Sequence, residues 1–198
     1  ELLKNNKIEE ARAAFMLPYD IDECDEEGNT VLHWAAKQND ADLCLYFMIK
    51  GADASLKNNE SDTPLHVAIK NNAFDAAEAI TSIDSDSLFS RDANGITALD
   101  LGLVTDSSYF DLFITTKTGE IRDTEGQTLV HYFVRTGNIK GIQHCVKKGI
   151  PVSVKDNNGK TPLDIAFENL DDDVSVQIAA ELIMGGADEV DNDFAYFQ

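Results

Sequence analysis

Apolar side chains recur along this chain three and four residues apart, in short runs that come in pairs separated by polar turns. Leu65 and Ala68 share one helical face, and Leu43, Phe47 and Met48 mark the inner face of a helix over 40–50. Near the start, Ile8, Ala11, Phe15 and Leu17 form a third stripe, with Glu9, Glu10 and Arg12 outside it and Pro18 ending it. The pairs repeat. Thr63-Pro64-Leu65-His66-Val67-Ala68 has altered copies at Thr30-Val31-Leu32-His33-Trp34-Ala35, Thr97-Ala98-Leu99-Asp100-Leu101-Gly102, Thr128-Leu129-Val130-His131-Tyr132-Phe133 and Thr161-Pro162-Leu163-Asp164-Ile165-Ala166. The leading threonines step by 33 (30 to 63), 34 (63 to 97), 31 (97 to 128) and 33 (128 to 161).

The hexapeptide reads as a helix start. Thr63 offers a hydroxyl to a free first-turn N–H, and Pro64 fits the first helical position, where its missing N–H costs nothing. Five residues before each threonine stands Asp25, Asn58, Asp92, Asp123 or Asp156, and Gly28, Ser61, Gly95, Gly126 or Gly159 lies between. Glycine there supplies the positive φ of a tight turn. Each unit is therefore predicted as a turn, a short helix and a second helix. Such units bury their apolar faces only against neighbours.

A 33-residue period carrying T-P-L-H-x-A resembles the ankyrin repeat. The resemblance implies an all-α solenoid of stacked helix-turn-helix units with protruding turns, as one array over 1–198. It begins with a partial repeat at 1–24, continues as 25–57, 58–91, 92–122, 123–155 and 156–190, and leaves 191–198 as a tail or cap. His66 and its equivalents are expected to tie helix to turn. Gly51-Ala52-Asp53 matches the family's loop after the second helix, whereas Ser82-Ile83-Asp84 departs from it. Repeat 92–122 is the poorest match: its second helix is squeezed into about 109–115, and the run 115–119 is rich in poor helix formers, so fraying is expected there first. Phe133 replaces the small alanine and needs extra room, for which short residues at 102–106 are the expected source. All five residues at the place of Trp34 are apolar, so Trp34 is expected in the core.

The charge narrows function more than the fold does. A formal net charge of −20 and a pI near 4.3 repel nucleic acid and anionic membranes and favour a basic protein or peptide. No apolar run approaches the length of a membrane span, so no membrane insertion is expected. Cys24, Cys44 and Cys145 form neither a zinc pattern nor a disulfide framework, which favours a reducing, cytoplasmic setting. No catalytic residue, metal site or cofactor is expected. His33, His66 and His131 recur for a structural reason, His144 and Cys145 face different ways on a helix, and Asp171–Asp173 reads as a solvated loop. The chain starts without methionine inside a repeat, as a fragment or processed product would.

Binding remains. In ankyrin-like arrays the turns protrude as fingers and the first helices line a palm behind them. The resemblance places Glu26, Glu27, Asn29, Asn59, Glu60, Asp62, Asn94, Ile96, Glu125 and Gln127 on fingers, and Lys37, Lys70 and Arg135 on the palm. The expected function is that of a non-enzymatic protein-binding module, monomeric, with the acidic N-terminal fingers attracting a basic partner. The alternative is a regulatory or targeting segment of a larger enzyme or channel.

Overall fold

The computed structural model describes residues 20–106, 108–168 and 173–187. The stripe over 7–17, the acidic 171–172 and the tail 189–198 lie outside the described residues. The chain divides between Tyr109 and Phe110, within the poorest-matching repeat, into two compact units.

In the first unit the expected pairs form as α1 (Val31–Lys37) with α2 (Ala41–Ile49), and α3 (Pro64–Lys70) with α4 (Phe74–Ile83). A short 3-10 helix (Ser85–Phe89) leads to α5 (Ala98–Thr105). First helices pack on first helices, α1 on α3 and α3 on α5, while α2 packs on α4. The seam is built from Leu32, Ala35, Leu65, Ala68 and Leu99, all fully buried, and the outer layer from Leu43, Phe47, Ala76 and Ile80. Small alanines at the seam let the helices approach closely. The departure at 82–84 has a specific form. Helix α4 runs on through Ile83, and the Asp84 carboxylate then caps the 3-10 helix by accepting from the Asp86 N–H at 3.1 Å.

Helix α6 (Ser108–Phe113) follows, and the second unit continues with α7 (Thr116–Glu120), α8 (Leu129–Arg135), α9 (Ile139–Lys147), α10 (Pro162–Phe167) and α11 (Asp173–Met184). Again α8 packs on α10 and α9 on α11. The run 115–119 forms a helical turn after all. Threonine is a poor interior residue but a good cap: the Thr115 hydroxyl accepts from the Thr118 N–H at 3.2 Å, and Thr118 returns its oxygen to the Thr115 N–H at 2.8 Å. Gly119 then lies against Ile150, where a Cβ would sit 2.6 Å from a methyl.

Within its own unit, Phe133 finds room at a glycine. Gly141 of α9 lies against the ring, and a Cβ there would stand 2.7 Å from it. Gly141→Ala should therefore destabilise by about 1–3 kcal/mol through overpacking, although alanine is the better helix former by about 1 kcal/mol. Adding Phe133→Ala should turn the same Gly141→Ala change favourable. Urea unfolding of the four proteins of this cycle measures the coupling, and additive effects would refute the assignment.

The turns repeat one design in both units. The carboxylate of Asp25 accepts from the Glu27 and Asn29 N–H groups at 3.0 and 2.9 Å. Asn58, Asp92, Asp123 and Asp156 do the same two and four residues on. Gly28 and Gly126 have φ of +78° and +75°, and each also lies close against the next turn, at its Asn59 or Asn157. Ser61 holds the same place with φ of +63°. A side chain in that region is strained, so Ser61→Gly should stabilise by about 0.5–1 kcal/mol. A melting temperature raised by a few degrees checks this, and an unchanged one would refute it.

Candidate protein-binding groove

The histidines tie each helix start to the turn of the next repeat, and His33 also lines the groove of the first unit. His33 Nδ1 meets the Thr30 hydroxyl at 2.9 Å, and its Nε2 meets the Asp62 carbonyl of the next turn at 3.0 Å. His66 links Thr63 to the Ile96 carbonyl, and His131 links Thr128 to the Lys160 carbonyl, in the same way. Each ring thus caps its own helix and clamps the following turn. Burial, the largest influence, pushes all three imidazoles below their ordinary pKa, against the opposing pull of the carbonyls they face. Asp100 and Asp164 supply the local half of the clamp, their carboxylates accepting from the Thr97 and Thr161 hydroxyls at 2.8 Å.

Neighbouring turns are also stitched directly. Asn59 donates its N–H to the Glu27 carbonyl at 3.0 Å and its side-chain amide to the Glu26 carbonyl at 2.9 Å. Asn157 makes the equivalent bonds to Glu125 and Thr124. Asn58 reaches the Asn29 amide oxygen at 3.0 Å, and Arg122 spans the Gly126 and Lys155 carbonyls at 3.2 Å each. Asn29, Asn59 and Arg122 are thus occupied in holding turns together.

In three repeats the residue before the capping threonine meets the residue eight places later. Asp62, 1% exposed, takes the Lys70 ammonium at 2.6 Å. Gln127 accepts from Arg135 Nε at 3.1 Å and donates to Glu125, while Lys160 pairs with Glu168. Asp62 is therefore no exposed finger acid. It is a buried partner that fixes Lys70. In repeat 92–122 the same two places hold Ile96 and Val104, 39% and 81% exposed. Asn94 is exposed at its turn.

Between the first two fingers of the first unit lies a groove of about 290 Å³. Glu26, Glu27, Glu60 and Asp62 line it against two lysines, Lys37 and Lys70. Trp34 lies in it as well, half-buried rather than in the core. Its indole N–H donates to Asp25 at 2.9 Å, and the Lys37 ammonium stands 5.0 Å from its ring. Its place faces the groove, which Val67 at the equivalent place in the next repeat also lines. A single tryptophan among apolar equivalents, near acidic turns, was the available signal. The second unit has a cleft of about 410 Å³ between α8, α10 and α11, with Arg135 and Glu168 among its lining residues.

The thiols of Cys44 and Cys145 are buried, which pushes both up to about 12. Cys145 is thus a small core hydrophobe, and its neighbour His144 stacks on Phe110 at 4.8 Å. Among the described residues, no helix is long and apolar enough to cross a membrane.

A family model described as ankyrin repeats (3 copies) matches residues 2–89. The human palmitoyltransferase ZDHHC13 is 26% identical over 188 aligned residues, covering 76% of this chain but 30% of that protein. An ankyrin repeat domain from Acinetobacter baumannii superposes with a TM-score of 0.51 at 21% identity, over 94% of this chain and 96% of that one. A chain from the complex of a predatory endopeptidase of Bdellovibrio bacteriovorus with an immunity protein gives a TM-score of 0.50 at 24% identity, covering 90% of this chain and 94% of that one. Ankyrin repeats generally bind proteins and are usually non-catalytic. With the threonine-histidine clamps, the recurrent turns and the stacked helix pairs, these similarities show ankyrin repeats over 2–89 and an all-helical ankyrin-repeat fold.

Proposed function

We propose that this chain is a non-enzymatic module that holds a basic segment of a partner protein in the groove of its first unit. The observation that carries the reading is the groove's charge: four carboxylates against two lysines, one locked to Asp62 and the other resting over Trp34. Stitched turns support it too, because preorganised loops lose little freedom on binding. The module is proposed to act as a monomer in a reducing, cytoplasmic setting, which suits its free thiols.

Trp34 is the only tryptophan, so its fluorescence reports on the groove directly. A Lys/Arg-rich dodecapeptide should change that fluorescence saturably and lose affinity as salt rises, while an acidic peptide of equal length should not. Identical responses to both peptides would reject the reading.

A second reading has its own support. The stretch similar to the human palmitoyltransferase is 30% of that protein, so the repeats are also proposed as the targeting portion of a larger enzyme. An antibody against the repeats detecting a native product far above 21.8 kDa would favour this, and a band at that mass would oppose it.

A further inference from the structure

We infer that the first-unit groove takes an extended peptide carrying a cationic side chain and, five or six residues away, a large aliphatic one. The inference rests on the reading of that groove as a peptide site and specifies what the peptide must contain.

The cationic place is Trp34. Its ring already attracts the Lys37 ammonium at 5.0 Å, and an exposed contact of that kind is weak enough to be exchanged for an incoming arginine or lysine. Glu26, Glu27 and Glu60 surround the exchange site, so the incoming cation gains carboxylates as well as the ring.

The aliphatic place is two repeats on. Where the intervening repeat carries the Asp62–Lys70 ion pair, repeat 92–122 carries Ile96 and Val104. Both stand open to solvent, Val104 at 81%, at the places that bear polar or charged residues in the other four repeats. An apolar rung in an otherwise polar series favours an apolar side chain of the ligand. The ion-paired rung between them leaves no charge for the peptide to neutralise, so small or polar residues suit the middle of the segment.

The spacing follows from the stack. Helices α1, α3 and α5 pack in succession, and packed helices lie roughly 8–10 Å apart, so α1 and α5 are separated by roughly 16–20 Å. An extended chain advances about 3.3 Å per residue, which sets the separation at about five or six residues.

The test uses the full chain and immobilised decapeptides of Gly, Ser and Ala bearing one Arg and one Leu, separated by one to eight positions, in both orders. Affinities are confirmed by Trp34 fluorescence against a decapeptide with Arg alone. Binding should peak at a separation of five or six in one order, at least fivefold tighter than Arg alone. Val104→Asp, at an exposed position that leaves folding intact by circular dichroism, should abolish the peak and keep the Arg-only affinity. A flat dependence on separation, or a peak that survives Val104→Asp, overturns the two-anchor inference while Arg-only binding upholds the groove. Loss of binding to every Arg peptide overturns both.

Discussion

His131→Ala should lower the stability of this protein by about 2–4 kcal/mol, seen as a reduced urea midpoint by circular dichroism. The imidazole is fully buried, so its removal leaves a cavity. It also abandons polar groups on two elements: the Thr128 N–H and hydroxyl on one side, the Lys160 carbonyl on the other. Orphaned buried groups cost about 1–3 kcal/mol each, and partial access of water reduces the total. His131→Asp writes in the residue that stands at 100 and 164. It should keep the threonine capped but lose the reach to the next turn, and so fall between wild type and alanine. Equal stability of all three proteins would refute the clamp.

The same rings set an acid limit. Their folded pKa values lie below the ordinary 6.5, so the unfolded chain takes up protons that the folded chain refuses. Stability contributed by the neutral rings is whole above about pH 6.5 and is lost as pH falls below it. Each ring costs at most about 1.4 kcal/mol per pH unit across that window. Melting temperatures between pH 7.5 and 5.5 should therefore fall in wild type and fall less steeply in His131→Ala.

Reversing Glu26→Lys, Glu27→Lys and Glu60→Lys together should weaken capture of a basic peptide ten- to hundredfold at low salt. The three carboxylates line one groove, and their reversal replaces attraction by repulsion at three points. The loss should appear chiefly in the association rate and shrink as ionic strength shortens the Debye length to about 8 Å. Asp62 is left unchanged on purpose, since Asp62→Lys would break a buried ion pair and confound binding with folding. His131→Ala, located in the other unit, supplies the complementary control: it should lose stability while keeping peptide affinity at temperatures where it remains folded. Undiminished binding by the triple variant would reject the acidic groove.

The fold was legible because its causes are local and recur. A threonine cap, a turn carboxylate and a left-handed glycine each act within five residues, so Thr63-Pro64-Leu65-His66 and Asp25…Gly28 could be read directly. Less legible were features that depend on what lies a repeat away. Asp62 looks like a surface acid in sequence, yet Lys70 folds over it eight residues later. Asn59 looks like a recognition residue, and is spent on the preceding turn.

The sequence by itself determined the period, the helix starts, the turn design and the sign of the surface charge, since each arises from neighbouring residues or from composition. Only the tertiary structure decided that Trp34 faces the groove, that Gly141 makes room for Phe133, and that Ile96 and Val104 stand open where other repeats are polar or charged. Those outcomes depend on which side chains from separate helices and turns compete for the same space, and a periodic pattern carries no record of that competition.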